Sequence, residues 1–388
     1  MKKKILVLLS VMLLLVGCTN KKDDVQNNSL PLQESSTLFK EMQQNPLVET
    51  KVDFNYPDGL DTTVKDGLSL WGSEKDKLYF VTEDGDSQLY LSYNLNTKVW
   101  NKLFSSSPQE AGFLMTVYEE SVILGTGFWD ENDCLNFTIV QYKGDEEKIL
   151  YSSLSNGVPT AHVIDHYIVI NEVIPGKNEK LKSTITIINL EDGKVEIAKQ
   201  TNFTKTQDWH LSGDIVMCEG GWKDGFVYNY IELDNEVLTD SDAGKSSIFY
   251  YSFDNKVTEK LMDFPTSLFY MAGTPDFLIT SNYSIGSEDT GKIIMKQKDH
   301  YKAFVLPGVV AGNDISDSFQ LTTDTYFISA GDDYYVADLN TQEYMRGNQK
   351  KLVKGENDHY GFFKSDNGVS CLTKDKTKLT LHTFHIKA

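Results

Sequence analysis

The sequence feature that most constrains the fold is a pattern of short apolar runs that recurs along residues 48–388. The runs are rich in Tyr, Phe, Ile, Val and Thr, and Gly, Asp and Asn separate them. This pattern is typical of β-strands joined by tight turns, and amphipathic stretches of helical length are absent. The first run of each set begins near residue 67, 113, 160, 208, 268, 319 or 360, so the repeats are 41 to 60 residues long.

Each repeat holds enough apolar runs for four strands. A second run follows the first after about three residues, and a third leads through a tight tip into a fourth, as in residues 89–104, 137–152 and 185–200. The tips are Asn-Thr, Gly-Asp and Asp-Gly, which tolerate the dihedral angles of tight turns. Four strands in about 40–50 residues resemble one blade of a β-propeller. The sequence therefore predicts an all-β fold, a seven-bladed β-propeller with four-stranded antiparallel blades.

The two ends of the repeat region predict how the ring closes. The seventh repeat ends after its third run, at residues 379–387, and residues 48–55 resemble the fourth runs of the other repeats. An N-terminal strand that completes the last blade would cover two sheet edges that otherwise favour aggregation. An irregular pair of β-sandwiches is the alternative, although it would not need seven regular repeats.

The N-terminus predicts export and a lipid anchor. Three lysines at positions 2–4 precede an apolar run, residues 5–16, that is too short to span a bilayer and is typical of a secretory signal. The ending Leu15-Val16-Gly17-Cys18 resembles the lipobox of bacterial lipoproteins. That resemblance implies cleavage before Cys18 and a diacylglyceryl group on its thiol, and two acyl chains anchor a protein stably. The repeat region is likewise most similar to secreted bacterial propeller lipoproteins.

These features predict three segments and a location. Residues 1–17 are expected to be a lipoprotein signal peptide, residues 18–47 the lipidated cysteine with a flexible polar tether, and residues 48–388 the propeller. We expect the protein on the extracytoplasmic face of the cell membrane, as a monomer. The abundance of Lys, Asn and Ile is typical of a low-GC Gram-positive genome.

Charge and cysteine content restrict the partners. The net charge is −19, and removal of residues 1–17, which contain three lysines and no acids, changes it to −22. So acidic a surface disfavours nucleic acid and anionic lipid head groups. Cys134, Cys218 and Cys371 lack the spacing of a disulfide framework or a zinc site. We therefore expect no disulfide, no metal and no cofactor.

The candidate binding residues lie where the expected loops between second and third strands vary most in length. Variation concentrated on one face is typical of a binding face. The longest such loop is expected in the fourth repeat, at residues 219–247. Aromatic rings beside carboxylates suit sugars or peptides, and the candidates are Trp129, Asp130, Trp222, Tyr228, Tyr230 and Tyr283. In the alternative interpretation Tyr228 and Tyr230, with Phe226, pack on the propeller from an extra hairpin.

Two functions fit these features. The first is a membrane-anchored recognition or scaffold module for a glycan, a peptide or a partner protein. The alternative is a propeller-type enzyme, similar to glycoside hydrolases, that acts on envelope glycans. No HExxH or GxSxG motif occurs, so the sequence assigns no catalytic residue. Two inward carboxyl groups about 5–10 Å apart beside an aromatic side chain would favour hydrolysis.

Overall fold

The computed structural model describes most of the chain from residue 25 to residue 387. The described ranges are 25–27, 29–34, 38–59, 65, 67–106, 111–144, 146–176, 180–205, 210–222, 224–237, 246–265, 268–282, 290–310, 314–353, 361–365 and 368–387. The expected signal peptide and Cys18 lie outside these residues.

Four N-terminal strands precede a long series of antiparallel hairpins. The N-terminal strands are β1 (Val25–Asn27), β2 (Leu32–Glu34), β3 (Lys40–Glu41) and β4 (Leu47–Asn55). The strands of the first two sheets, A and B, are β5 (Ser69–Glu74), β6 (Lys77–Asp84), β7 (Ser87–Asn94), β8 (Val99–Ser106), β9 (Ala111–Tyr118), β10 (Ser121–Trp129), β11 (Leu135–Lys143) and β12 (Glu146–Ser155).

Sheet C is the largest sheet. It contains β13 (Thr160–Ile164), β14 (Tyr167–Pro175), β15 (Lys180–Asn189), β16 (Val195–Lys205), β17 (His210–Trp222), β18 (Gly225–Val237), β19 (Ser246–Ser252) and β20 (Thr258–Phe264), with β1 at one edge.

Three more sheets complete the chain. Sheet D contains β21 (Leu268–Thr274), β22 (Phe277–Asn282), β23 (Gly291–Lys296) and β24 (Tyr301–Val305), with β2 at its edge. Sheet E contains β25 (Ile315–Gln320), β26 (Thr325–Ala330), β27 (Asp333–Asp338) and β28 (Glu343–Asn348), with β3 at its edge. Sheet F contains β29 (Phe363–Ser365), β30 (Gly368–Lys374), β31 (Lys378–Ile386) and β4, and the short helix α1 (Gln349–Leu352) lies between sheets E and F.

The sheets pack face to face in a closed circuit, so the chain is an all-β propeller. Successive residues along the second strand of each unit point their side chains to opposite faces of the sheet, as the alternation of a β-strand requires. Ile168 and Ile170 pack against sheet B, whereas Val169 packs against β17 and β18. Further apolar clusters join A to B, C to D, D to E and E to F. A last cluster joins Leu379 and Leu381 of sheet F to sheet A and closes the ring.

The expectation of seven separate four-stranded sheets is wrong. Five sheets have four or five strands, and the sixth, sheet C, has nine. Its two halves, β13–β16 and β17–β20, are joined because β16 pairs with β17 over three positions, beginning with Phe203 opposite Gly213. The cause is the length of the β17–β18 hairpin, whose strands have 13 residues each.

The predicted role of the strand at residues 48–55 is confirmed. Strand β4 pairs with β31 in antiparallel register from Leu47 opposite Ile386 to Asn55 opposite Lys378. It forms the outer edge of sheet F. Both termini of the repeat region therefore contribute to one sheet, which holds the ring closed.

Part of the segment expected to be a flexible tether instead pairs with the propeller. Strands β1, β2 and β3 add in parallel to β20, β24 and β28, the outer strands of three consecutive units. Among the described residues no helix is long and apolar enough to cross a bilayer.

Candidate functional site

A cavity of about 720 Å³ lies at the centre of the ring. Its walls come mainly from the first strands of consecutive units, namely β13, β17, β21, β25 and β29, which are the innermost strands of a propeller. The volume is within the range of pockets that enclose a small molecule or the end of a short polymer. Because several units contribute to it, the cavity depends on closure of the ring.

His162 of β13 contributes an imidazole ring to this wall. Burial lowers the pKa of its imidazole, while a hydrogen bond to the backbone of Cys218 opposes that shift. The ring is therefore neutral near pH 7, with the nitrogen that faces the Cys218 carbonyl carrying the proton. The other nitrogen, Nε2, is buried and has no hydrogen-bond partner among the described residues.

Asp317 of β25 is a carboxyl group of the cavity wall whose pKa is raised. The pairing of β25 with β26 shifts register between Ile315 and Asp317, so Ser316 is an extra residue and both Ser316 and Asp317 are exposed to the cavity. Bulges of this kind redirect side chains beside binding sites. Desolvation by the surrounding walls raises the pKa of Asp317 to about 6, although its side chain touches solvent in the cavity. It is mainly ionised near pH 7 and protonated in mild acid.

Trp222 forms an aromatic wall at one end of the cavity. Its indole stacks on Tyr326 with ring centroids 4.9 Å apart and packs at 5.2 Å against Phe277. These contacts fix the side chain, and offset aromatic stacking adds stability beyond buried area. Trp222 also lines the cavity, so its ring system offers rigid apolar area to a ligand.

Small polar groups lie beside this wall. The hydroxyl groups of Tyr270 and Ser318 are 2.7 Å apart and join the first strands of sheets D and E. Gln320 and Lys364 also line the cavity. The wall thus combines one cation and few acids with aromatic, hydroxyl and amide groups, and does not carry a strong charge of one sign.

The structure places Trp222 differently from the expectation that located it in a loop between second and third strands. It ends β17, at the hairpin that joins the first and second strands of its unit. Successive antiparallel strands reverse direction, so this hairpin and the connections between second and third strands lie at opposite ends of the sheets. The connection between the second and third strands of this unit, residues 238–245, lies outside the described residues.

Trp129 and Asp130 do not line this cavity. Trp129 ends β10 at the connection between second and third strands and is 40% exposed. The Asp130 carboxylate accepts backbone hydrogen bonds from Asn132 and Cys134 at 2.8 and 3.0 Å. Such bonds stabilise the turn, so Asp130 holds the loop that presents Trp129. The two tryptophans, which the sequence predicts on one face of the propeller, lie at opposite ends of their sheets.

The remaining predicted residues do not join the site. Tyr228 is 1% exposed and packs in the apolar cluster between the halves of sheet C, which leaves no ring face for a ligand. Tyr230, on the same strand, packs against Phe249, and burial and a hydrogen bond to Asp214 raise the pKa of its hydroxyl. The alternative interpretation, that these tyrosines pack on the propeller, is the one that the structure favours. Tyr283 lies outside the described residues.

The cysteines and acids of the described segments form no metal centre. Cys134, Cys218 and Cys371 are free and buried, and burial raises the pKa of the Cys371 thiol well above its usual range. Within the described ranges no three His, Cys, Asp or Glu side chains cluster in a way that could hold a metal ion.

Comparisons with known proteins give only distant structural likenesses. No family model and no curated protein matches the sequence. Among solved structures, the chain is similar to the β-propeller domain of the Trilobed protease from Pyrococcus furiosus, with 10% identity and a TM-score of 0.48 over 82% of this chain and 94% of that one. It is also similar to oligogalacturonate lyase from Vibrio parahaemolyticus, with 14% identity and a TM-score of 0.48 over 87% and 97% of the chains. The WD40 domain of coronin from Toxoplasma gondii has 9% identity and a TM-score of 0.45 over 91% and 90%. Likenesses this distant say nothing about what this chain binds.

Proposed function

We propose that the protein is an extracytoplasmic, lipid-anchored recognition module that binds a small ligand, or the end of a polymer, in its central cavity. One observation carries the proposal: a cavity of about 720 Å³ whose wall joins the fixed indole of Trp222 to hydrogen-bonding groups from several units. Such a mixture of rigid aromatic area and a few polar groups is the usual composition of a ligand site.

The chemistry of the wall favours a neutral oligosaccharide. Hydroxyl-rich ligands can exchange hydrogen bonds with Tyr270, Ser318 and Gln320. An aromatic side chain supplies apolar area at low cost in side-chain entropy. The acidic net charge of the chain disfavours anionic ligands. An extended peptide is the other ligand class, and it is an outcome of the test below.

The ring is, in this proposal, a propeller of seven blades. Sheet C counts as two blades because its halves have their own apolar cluster, with Ile164 and Val169 on one side and Val216 and Phe226 on the other. The interfaces between units then number seven, each with a cluster of its own. The anchor is the lipid on Cys18, after removal of residues 1–17, which would place the domain on the outer face of the cell membrane.

The ligand class can be tested on arrays of neutral oligosaccharides, acidic oligosaccharides and extended peptides. The purified protein in detergent should bind neutral oligosaccharides, and Val163→Trp should reduce that binding at least about tenfold. Val163 is 37% exposed in the cavity wall, so a larger side chain there fills the cavity without removing a core contact. If the protein binds peptides alone, the ligand is a peptide and not an oligosaccharide. If the wild type and Val163→Trp bind equally well, the cavity is not the binding site.

The anchor has a separate test. Cys18→Ala should leave the protein in the soluble fraction or as an uncleaved precursor, whereas Cys134→Ala should fractionate with the membrane like the wild type. Cys134 is buried and free, so it is a control for the loss of a thiol. A cleaved Cys18→Ala protein that still fractionates with the membrane would contradict the anchor.

A glycan-cleaving enzyme is the second candidate, and the raised pKa of Asp317 favours it. A carboxyl group that is protonated in mild acid can act as a general acid at a glycosidic oxygen. Asp165 is the other carboxylate that lines the cavity among the described residues. Release of reducing ends from an array-positive oligosaccharide, abolished by Asp317→Asn, would establish this candidate. Unaltered oligosaccharide after long incubation at about pH 5 would exclude it.

A further inference from the structure

The N-terminal segment is a strap along the outer rim of the propeller. Residues 25–41 add β1, β2 and β3 to the outer strands of three consecutive units, and hydrogen bonds between strands continue the pairing. Leu30 donates its N–H to the Leu261 carbonyl at 2.9 Å, and Met42 donates to the Tyr344 carbonyl at 2.7 Å. The strap then continues into β4, which closes sheet F.

Side chains fix the strap as well as backbone pairing. Phe39 is 3% exposed and packs edge-on against Phe304, with ring centroids 4.9 Å apart. Leu30 and Leu32 pack against the cluster between sheets C and D. Glu34 forms an ion pair with Lys292, whose side chain is 14% exposed, at 2.8 Å. The strap is therefore part of the folded domain from its first described strand.

The direction of β1 shows where the chain reaches the rim. Val25 is opposite Thr258, the first residue of β20, and the pairing is parallel. The chain therefore arrives at the end of sheet C that carries the hairpin between β19 and β20, at residues 253–257. The β17–β18 hairpin that presents Trp222 lies at the same end of the sheet.

Chain length then limits how far this point can be from a lipid on Cys18. Seven residue steps separate Cys18 from Val25, and a fully extended chain spans at most about 25 Å over that number. Four strands spaced about 4.8 Å apart make each unit about 15 Å wide, so a ring with units on both sides of a cavity is wider than 30 Å. The lipid can reach the rim at β20 and cannot reach the opposite rim.

We propose that the propeller is held beside the membrane by one fixed part of its rim, at the β19–β20 hairpin of sheet C. This inference rests on the proposed lipid anchor at Cys18. The strap sets the orientation, because the acidic domain has no net electrostatic attraction to anionic lipid.

Two equivalent hairpins provide a matched pair of probe positions. Asn255 and Thr97 are both exposed and occupy the same place in turns of the same kind, in sheets C and A. The next residue in each turn, Lys256 or Lys98, has a positive φ of 54° or 61° and donates its N–H back to Ser252 or Asn94. The other cysteines besides Cys18 are buried, so Asn255→Cys and Thr97→Cys can each be labelled selectively.

The experiment measures energy transfer from a dye on each cysteine to an acceptor in the head groups of vesicles that carry the lipidated protein. We expect markedly stronger transfer from Asn255→Cys than from Thr97→Cys. An insertion of about 30 Gly and Ser residues after Asn20 lengthens the free chain and should remove the difference. Equal transfer without the insertion would overturn the fixed orientation. Failure of both labelled proteins to bind vesicles would instead overturn the anchor.

Discussion

At the scale of single residues, Asp317 shows how the propeller changes the chemistry of a side chain that remains accessible. The register shift in β25 exposes it to the cavity, while the walls of neighbouring units reduce its hydration. Reduced hydration disfavours the ionised form, so the pKa rises to about 6. In the unfolded chain the same group is well hydrated and has its ordinary pKa.

This difference predicts a pH-dependent effect of Asp317→Asn. The folded-state pKa is above the unfolded value, so the wild type loses stability as the pH rises from about 4 to about 6. The variant should therefore melt at a higher temperature than the wild type at about pH 7, and the gap should close near pH 4. Calorimetry of the wild type and the variant across this pH range measures the two melting temperatures, and Ser316→Ala is the control at a neighbouring position. A gap of constant size across this range would contradict the raised pKa.

The burial of Phe39 predicts that this side chain stabilises the docking of the strap on the propeller. Truncation of a buried Phe to Ala costs about 3–5 kcal/mol in the free energy of unfolding. Here the loss cannot exceed the free energy with which the strap docks on the propeller, because the strap can detach while the rest of the domain stays folded. We expect Phe39→Ala to make residues 25–41 sensitive to protease while the rest of the domain stays folded. Leu38, the preceding residue, is 47% exposed, so Leu38→Ala is the matched control. Equal protection of the strap in both variants would contradict the burial of Phe39.

Sequence patterns could predict some of these residues and not others. The sequence predicts Trp222 as a binding residue because aromatic rings beside carboxylates suit sugars or peptides. Trp222 does line the cavity, although from a hairpin at the other end of the sheet. His162 and Asp317 gave no signal, since they lie in short strands with no motif around them. Their roles arise from the meeting of strands about 150 residues apart in sequence, which single-sequence patterns do not encode.

At the scale of elements, the closing strand β4 has its own polar anchor. His382 of β31 is 2% exposed, and its Nδ1 is 2.6 Å from Glu49 Oε1 while its Nε2 is 2.9 Å from Thr373 Oγ1. Both ring nitrogens are thus satisfied, one of them by the N-terminal strand. At the outer end of the same pair, Asp53 accepts from Thr380 at 2.8 Å.

Loss of the Glu49 carboxylate should weaken ring closure. Glu49→Ala leaves a buried imidazole nitrogen without its partner, which costs about 1–3 kcal/mol in the free energy of unfolding. Glu49→Gln keeps an acceptor at the same place and should cost less. Urea denaturation of the two variants and the wild type measures the difference. If Ala and Gln destabilise the protein equally, the hydrogen bond to His382 is not what stabilises the closure.

The strands that close the ring can be predicted from the sequence because they follow a local pattern. The N-terminal strap cannot be predicted in this way. Residues 48–55 alternate as a fourth strand does, so their pairing with β31 could be expected. Residues 25–41 are mostly polar, and β1 to β3 have only two or three residues each. Their strand structure depends on the edges of β20, β24 and β28, and on one large buried side chain, Phe39. The pairing of β16 with β17, which joins two repeats into sheet C, cannot be predicted from the repeat pattern because it depends on the length of one hairpin.

At the scale of the whole molecule, the structure has three connected features: a closed ring, a cavity at its centre and a strap along part of its rim. The ring brings the first strands together and so creates the cavity. The strap pairs with the outer strands of sheets C, D and E. Among the described residues, the cavity wall brings aromatic and polar groups of several units together.

The measurement that tests the central claim most directly is calorimetric titration of the protein with the best neutral oligosaccharide from the array. The account predicts that Trp222→Ala and Val163→Trp each weaken binding at least about tenfold, because both change the cavity wall. Trp129→Ala, at the other end of the sheets, should bind like the wild type. If Trp129→Ala loses affinity while both cavity variants keep it, the ligand binds to the loops and the cavity is not the site.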